Sequence, residues 1–187
     1  MSNDLRELRA AVLARTDRRR RLHVLGVAQE IDTLALRWGA DRGQAARAAL
    51  LHDVTKGLTP AEQLKLCAKY DIVTQSWERT EHKLMHAVTG AAVARFEFGA
   101  EEAVCAAVRW HTTGRAGMTL LEKLLYLADY VDATRVFSEA RALRALCYED
   151  LDAALLRGLD LSIQFLLAER RAIHPDTMAA RNALLTR

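Results

Sequence analysis

Apolar residues recur along most of this chain with the spacing of one face of a helix. A long stretch of this kind runs over residues 16–39, and others follow from residue 41 to near the end. No segment alternates strictly between apolar and polar residues, as a strand with one buried face does. The pattern therefore predicts an all-α protein.

Capping residues divide this pattern into successive helices. Asn3 or Asp4 can cap a first helix, and Gly39 ends a long second one. A third helix is predicted to begin after Asp41 and to stop near Gly57. The later helices are predicted over residues 59–70, 81–99, 101–111, 118–133, about 139–147, about 149–171 and from 174 onwards.

The composition agrees with a helical chain that buries one core. Its 187 residues are 51% hydrophobic and include only two prolines and nine glycines. No apolar stretch is long enough to cross a membrane, and charges run through the N-terminus, so we expect a cytoplasmic protein without a secretory signal. The three cysteines are far apart, and we expect reduced core residues at Cys67, Cys105 and Cys147.

Positive charge is concentrated at the N-terminus. Residues 1–21 contain seven Arg against three acidic residues, a local net charge of +4, whereas the whole chain has a formal net charge of +3. The run Arg18–Arg21 suits the binding of RNA, a membrane surface or a phosphorylated ligand, and its alternative role is a solvated helix face.

Several histidines and an aspartate interrupt helix faces that are otherwise apolar. His52 shares a face with alanines, His111 with valines, and Asp129 with leucines. A lone histidine in such a position is more often a hydrogen-bonded core residue than a ligand. A buried carboxylate without a partner is costly, however, and imidazole with carboxylate suits iron, manganese or zinc. Together with His23 and His86, these residues favour an internal metal site.

Two further residues belong to this pattern. Asp53 follows His52 directly, so the pair enters the site together. His82 and His86 form an i, i+4 pair that can chelate a metal on its own, an alternative that ranks below the distributed site.

The order His23, His52-Asp53, His86, His111 and Asp129 is similar to the H…HD…H…H…D pattern of HD-domain metallophosphohydrolases. The surrounding sequence narrows the resemblance. Over about residues 18–185 the chain resembles the YqeK-type family, the HD-domain symmetrical bis(5′-nucleosyl)-tetraphosphatases. The motifs that carry this resemblance are LLHDVTK, HAVTGA, RWHTTGRAGM, KLLYLADYVDATRVF and IHPDTMAARNALL.

The resemblance implies a single HD-domain helical bundle over residues 1–187, in which residues 1–17 are an N-terminal helical extension. It also implies symmetrical hydrolysis of diadenosine tetraphosphate (Ap4A) to two ADP at an iron centre of one or two ions. His86 and His111 would hold a second metal or face the phosphates, and Asp53 would bridge two metals. The metal ligands implied by the family are His23, His52, Asp53, Asp129, His86 and His111.

Cleavage of a phosphoanhydride also requires cations near the metal. Lys56 lies one turn past His52, where it can contact a phosphate or complement the end of a helix dipole. Arg20, three residues before His23, can reach a polyphosphate, and Arg135 can close the other side of the site. The expected catalytic residues are Asp53, Lys56 and Asp129.

Further substrate contacts are expected in two segments. The HTTG motif places the hydroxyls of Thr112 and Thr113 directly after a ligand, where they can bind phosphate or end a helix. Phe137 can stack on an adenine or belong to the core. The start of the last helix is a natural nucleotide contact, and its candidates are His174, Thr177 and Asn182.

The chain departs from the family pattern at two positions. Asp132 stands where we expect a glutamate, so an outer-shell contact there falls to a side chain that is one methylene shorter. Val54–Thr55 stands between the HD pair and Lys56, where an apolar residue and alanine are more usual.

Two other functions compete with Ap4A hydrolysis. One is an HD hydrolase for another nucleotide, such as a nucleoside monophosphate or a guanosine polyphosphate. The other is a non-enzymatic adaptor that senses nucleotides and binds RNA or the ribosome through its arginines. The filled ligand positions favour an enzyme over the adaptor. The HTTG motif and the C-terminal HPDT segment favour a small dinucleoside polyphosphate as its substrate, with ADP as the product. Nucleic acid and membrane partners are not expected, and a homodimer is left open.

Overall fold

The computed structural model describes residues 3–75, 81–136 and 138–186, and for residues 82 and 83 only the backbone. The described residues form ten α-helices and contain no strand, which confirms the all-α prediction. The helices are α1 (Asn3–Ala14), α2 (Arg18–Trp38), α3 (Arg42–Leu51), α4 (Pro60–Lys69), α5 (His82–Phe96), α6 (Glu102–Trp110), α7 (Leu120–Val131), α8 (Ser138–Glu149), α9 (Leu151–Ala168) and α10 (Pro175–Leu185).

Several helix ends follow from local sequence. The Asp41 side chain accepts a hydrogen bond from Gln44 N and caps α3, while Thr59 and Glu62 form a capping box at the start of α4. Gly39 ends α2 in the left-handed conformation, with φ of 70°. The predicted boundaries at these positions are confirmed.

The end of the third helix differs from the prediction. The sequence predicts a helix that stops near Gly57, but α3 ends at Leu51 and a series of tight turns follows. Backbone hydrogen bonds from residue i+3 to residue i run through these turns. Val54 N donates to Leu51 O at 3.1 Å, and Lys56 N donates to Asp53 O at 3.0 Å. The residues from His52 to Lys56 therefore lie on a compact turn rather than along one helix face.

Helix α7 occupies the centre of the core. Most of its apolar residues are buried, including Leu124, Leu125, Leu127 and Ala128. Helices α2, α3, α6, α8 and α9 pack around it, whereas α1 packs on α3, α4 on α5, and α10 on α9. Because each buried leucine contributes about 1.5–3 kcal/mol, α7 is a rigid support for any polar residue that it carries.

The cysteine and membrane predictions can be compared with this fold. All three cysteines are buried free thiols, as predicted, and burial raises the pKa of Cys147 to about 12. Within the described part of the chain, every helix is too short or too polar to span a bilayer.

Candidate metal centre

The predicted metal ligands converge on one buried point, although they come from five parts of the fold. His23 lies on α2, the His52-Asp53 pair follows α3, and the other three lie on or directly after successive helices. The ligand atoms form two groups of three, and within each group all atoms lie within 4.8 Å of one another. The first group is His23, His52 and Asp129, and the second is Asp53, His86 and His111.

The first triad lies between α2 and α7. His23 Nε2 is 3.0 Å from Asp129 Oδ1 and 3.3 Å from His52 Nε2. His52 Nε2 lies 3.9 Å from the same Asp129 oxygen. Three potential ligand atoms thus face a common point, the arrangement that a metal ion with nitrogen and oxygen ligands requires.

The second triad lies directly beside the first. His86 Nε2 is 3.0 Å from His111 Nε2 and 3.2 Å from Asp53 Oδ1, and His111 Nε2 is 3.7 Å from that oxygen. The other Asp53 oxygen, Oδ2, faces the first triad, at 3.7 Å from His23 Nε2 and 3.6 Å from His52 Nε2. Asp53 therefore lies between the two triads, with one carboxylate oxygen toward each.

Hydrogen bonds at Nδ1 fix the ring orientation of two of the histidines, His52 and His111. His52 Nδ1 lies 2.7 Å from the carbonyl oxygen of Ala49, and His111 Nδ1 lies 2.7 Å from that of Val108. Because a carbonyl oxygen only accepts, each Nδ1 donates to it, and the Nε2 atom of each ring faces the centre.

A carboxylate orients the third ring. His23 Nδ1 lies 3.1 Å from Asp132 Oδ2, and Thr134 N donates to Asp132 Oδ1 at 2.9 Å. Asp132 is fully buried, so the shorter side chain at this position does make the outer-shell contact. Gly26 makes room for it, because a Cβ atom on residue 26 would lie 2.8 Å from Asp132 Oδ1.

Burial and the carboxylates set the charges of the site. Burial lowers the pKa of His52 and that of His86 to about 4, so both rings are neutral at pH 7, the form that binds metal. For His23, burial alone would lower the pKa, but hydrogen bonds to Asp129 and Asp132 raise it to about 9. His23 must lose its Nε2 proton to act as a ligand.

Both central carboxylates are ionised despite their burial. Burial opposes the charged form of Asp53, but His52, His111, His86 and Lys56 hold its pKa well below the usual range. Burial likewise opposes ionisation of Asp129, and its contact with His23 lowers that pKa as well.

The surroundings of one atom, Asp53 Oδ1, indicate whether these residues fit a metal ion. Asp53 Oδ1 is buried, and none of the described residues donates a hydrogen bond of good geometry to it, although three side-chain nitrogens lie within 3.7 Å. A buried, ionised oxygen without a hydrogen bond is costly. Neutral imidazoles around such an oxygen form a donor set for a divalent cation, so the residues fit a metal centre.

A groove of about 860 Å³ opens onto this centre. The three predicted cations lie beside the central carboxylates in the wall of this groove. Arg20 Nη1 lies 2.5 Å from Asp53 Oδ2, Lys56 Nζ lies 3.3 Å from Asp53 Oδ1, and Arg135 Nη2 lies 3.1 Å from Asp129 Oδ1. Other lining residues outside the metal centre are Asp17, Arg19, Leu22, Leu58, Pro60, Gln63, Met85 and Thr134. The groove thus joins a cationic wall to an aliphatic one, which suits a phosphorylated ligand with an apolar end.

The HTTG motif lies outside the residues that line this groove. The Thr113 hydroxyl donates to Gly114 O at 2.9 Å, and the Thr112 hydroxyl is buried without a hydrogen bond to the described residues. Gly114 has a φ of +66°, and a Cβ atom there would lie 3.1 Å from that of Ala180 on α10. The HTTG motif therefore forms a turn that packs closely against the C-terminal helix α10.

The candidates on the last helix also lie away from the groove lining. His174 is buried and caps α10, its Nδ1 accepting a hydrogen bond from Asp176 N at 3.1 Å. Thr177 is buried and Asn182 is exposed. The candidate Phe137 and the side chain of His82, on which the i, i+4 pair depends, lie outside the described residues.

Several residues that support the site could not be recognised in the sequence. They are Gly26, together with Gln63 and Thr89, which lie behind His86. A glycine within a helix and a threonine among alanines were the available signals, and both are common in helices that carry no site.

Comparisons with known proteins agree with this geometry. Residues 20–134 match the HD domain family. The chain is 37% identical over 164 residues, 87% of each chain, to the symmetrical bis(5′-nucleosyl)-tetraphosphatase of Halalkalibacterium halodurans. It is 34% identical over 181 residues to the protein of that name from Bacillus subtilis, covering 96% of this chain and 97% of the relative.

A solved structure has the same fold. A crystal structure from Clostridium acetobutylicum, described as a "predicted HD superfamily hydrolase involved in NAD metabolism", superimposes with a TM-score of 0.93 at 32% identity. The superposition covers 100% of this chain and 98% of the other. The chain therefore belongs to the HD-domain family, and the matched range contains all six candidate ligands. Within the family, it belongs with the proteins named symmetrical bis(5′-nucleosyl)-tetraphosphatase, which it resembles along most of its length.

Proposed function

We propose that this protein hydrolyses dinucleoside tetraphosphates symmetrically, with diadenosine tetraphosphate (Ap4A) as the substrate and two ADP as products. The observation that carries the proposal is the pair of His/Asp triads at the base of a groove lined by Arg20, Lys56 and Arg135. A polyphosphate chain is the ligand that such a row of cations binds best. The names of the two bacterial relatives support this substrate class.

The six ligands would hold a divalent metal, and we propose iron, with manganese or zinc as alternatives. Such an ion lowers the pKa of a bound water and neutralises charge on phosphoryl oxygens. Two ions, one in each triad, are consistent with the position of Asp53 between them. The remaining steps fall to the side chains around the groove.

Asp129 is the more exposed of the two central carboxylates. Its side chain is 18% exposed, whereas that of Asp53 is 1% exposed. We propose that Asp129 orients the attacking water by accepting a hydrogen bond from it, while the proton that the water loses passes to solvent in the groove. Asp53 keeps its charge throughout, because the cations Arg20 and Lys56 lie 2.5 Å and 3.3 Å from its two oxygens and favour its ionised form.

The cations position the phosphates and receive the leaving group. Symmetrical cleavage requires the water oxygen to bond to an inner phosphorus while the central P–O bond breaks, so that the bridging oxygen leaves on the second ADP. Lys56 Nζ lies 3.2 Å from His86 Nε2 at the base of the groove, where it can neutralise that oxygen. Arg20 and Arg135 contact opposite triads and hold the phosphates on either side.

The two nucleosides are the ends of the substrate, so we propose that the residues that contact them lie away from the metal ligands. We propose Phe137 and the exposed Asn182 for these contacts, and we propose that Thr112, Thr113, His174 and Thr177, which lie outside the groove lining, support the segments that make them. The aliphatic wall that includes Leu58 and Met85 offers a second surface for a base.

The test is product analysis. The purified protein, loaded with Fe²⁺ or Mn²⁺, is incubated with Ap4A, and the nucleotides are separated by ion-exchange chromatography. We expect ADP as the sole product. ATP and AMP in equal amounts would contradict symmetrical cleavage, and turnover of a guanosine polyphosphate or a nucleoside monophosphate in place of Ap4A would assign the site to another nucleotide.

A further inference from the structure

Three polar side chains behind the metal centre are buried without a role in the reaction. Thr55, Gln63 and Thr89 are 2%, 4% and 0% exposed. They come from the turn after α3, from α4 and from α5. Burial of three polar groups in one place is costly unless each is hydrogen-bonded, so their bonding partners determine whether they stabilise the site.

The three side chains form one satisfied network. Gln63 Nε2 donates to the Thr55 carbonyl oxygen at 3.3 Å, and the Thr89 hydroxyl donates to Gln63 Oε1 at 2.8 Å. The Thr55 hydroxyl lies 2.9 Å from that of Thr89 and donates to the carbonyl oxygen of His86 at 2.9 Å. Two backbone carbonyls on different elements are thereby held at a fixed separation.

Both of these carbonyls adjoin groups of the metal centre. The Thr55 carbonyl directly precedes Lys56, and the second carbonyl belongs to His86 itself. The side chains of Lys56 and His86 meet on the far side of the network, where Nζ and Nε2 lie 3.3 Å and 3.2 Å from Asp53 Oδ1. The network therefore sets the distance between the two residues that approach this carboxylate oxygen.

Apolar residues of similar size would fill the same space without any need for partners. A buried network that is fully satisfied instead permits one arrangement of its backbone segments, because any shift leaves a polar group unpaired.

We propose that Thr55, Gln63 and Thr89 are positioning residues that hold Lys56 and His86 against Asp53. The proposal rests on the proposed function only in that His86 and Asp53 bind metal and Lys56 contacts phosphate. Its direct consequence is that loss of the network weakens metal binding in a protein that remains folded.

The test measures the affinity of the full chain for Mn²⁺ by calorimetry, without nucleotide. Thr89→Val keeps the shape of the side chain and removes its hydroxyl, and we expect the Mn²⁺ dissociation constant to rise about tenfold, as for other residues that orient metal ligands. Thr89→Ser restores the hydroxyl and should return the affinity to within about threefold of the wild type. Thr33→Val is the control. The Thr33 hydroxyl lies 3.2 Å from the carbonyl oxygen four residues earlier, that of Gln29, as the Thr89 hydroxyl lies 3.0 Å from that of Met85, but Thr33 is exposed and outside the network.

If Thr89→Val fails to fold, the Mn²⁺ dissociation constant of Gln63→Met is measured instead, and the same rise is expected. Gln63 belongs to the network and lies at the wall of the groove. A folded variant that binds Mn²⁺ like the wild type, or a serine variant as weak as the valine variant, would overturn the proposal. Failure of the wild type to cleave Ap4A would overturn the proposed function alone, since metal affinity is measured without substrate.

Discussion

At the scale of single residues, His52 connects the metal centre most directly to the core. Its ring is fully buried, and its Nδ1 is held by the Ala49 carbonyl. His52→Ala removes one ligand without disturbing the helices that carry the others. We expect bound metal, measured by mass spectrometry of the purified protein, and Ap4A hydrolysis to fall by more than about 100-fold. The helical circular dichroism signal should remain, and retention of full metal content would exclude His52 as a ligand.

Gly26 provides a second prediction at this scale. A methyl group on residue 26 would lie too close to Asp132 Oδ1, and Asp132 orients His23. We expect Gly26→Ala to weaken Mn²⁺ binding about tenfold, through the loss of this orientation. Gly158→Ala is the control, because a Cβ atom there makes only ordinary contacts, the shortest at 3.5 Å. Equal metal affinity in both variants would show that Asp132 has no part in positioning the ring.

The metal ligands and the residues that support them differ in how well sequence predicts them. His23, His52 and Asp129 could be predicted because an ionisable group on an apolar helix face is costly to bury unless it is paired or binds a metal. Gly26 and Thr89 could not, because small residues are common in helices and only their neighbours in space reveal their roles. The division of the ligands into two triads likewise depends on distances between helices.

At the scale of elements, the turn that contains Gly114 holds the C-terminal helix. A side chain at this position meets both a positive φ and the Cβ atom of Ala180. We expect Gly114→Ala to lower the free energy of unfolding by about 1–3 kcal/mol, measured by urea denaturation. Mn²⁺ affinity should stay near that of the wild type, because Gly114 does not line the groove. A variant with unchanged stability would show that this packing contact is weak.

Glu97 joins three elements through a cluster of ion pairs and hydrogen bonds. It contacts Arg15 after α1 at 2.8 Å, Lys69 in α4 at 3.3 Å and the Tyr70 hydroxyl at 2.7 Å. The hydrogen bonds from Tyr70 and Arg15 lower the pKa of Glu97 to about 2. A carboxylate with a lowered pKa stabilises the fold above its unfolded pKa of about 4.3, and this contribution is lost as the pH falls toward 2.

We therefore expect Glu97→Gln to reduce the free energy of unfolding by about 1 kcal/mol at pH 7, an amount that allows for solvent screening. Urea denaturation at a series of pH values should show the difference from the wild type shrinking below about pH 4 and vanishing near pH 2. A difference that is constant with pH would mean that the lost contacts do not depend on the charge.

Helices themselves could be predicted well, because apolar periodicity and capping residues are local. The boundaries at Gly39, Asp41 and Thr59 follow from such signals. The turns after Leu51 could not be predicted, because residues 52–56 contain no proline or glycine and their tight hydrogen bonds use only the backbone. That local failure matters for the site, since these turns place Asp53 and Lys56 beside the ring of His86.

At the scale of the whole molecule, the groove gathers charge from distant parts of the chain. Arg20, Lys56 and Arg135 come from the start of α2, the turn after α3 and the segment after α7. Each could be proposed from its spacing to a ligand, but their common groove depends on the packing of α2 and α3 around α7. The core thus determines which of the many arginines act at the site and which remain on the surface.

The candidate metal ligands also come from five parts of the fold that meet at one centre, so we expect metal binding there to be coupled to folding. An unfolded chain does not hold these six groups together, and an ion that binds only the folded state stabilises it. At 100 times its dissociation constant, Mn²⁺ should add about 2.7 kcal/mol, which raises Tm by roughly 5–10 °C for a chain of this size. Calorimetry of the chelator-treated protein with and without Mn²⁺ measures this shift. His52→Ala should show less than about a quarter of it at the same Mn²⁺ concentration, because weaker binding reduces the stabilisation directly. An equal shift in that variant would place the stabilising ion outside the triad that contains His52.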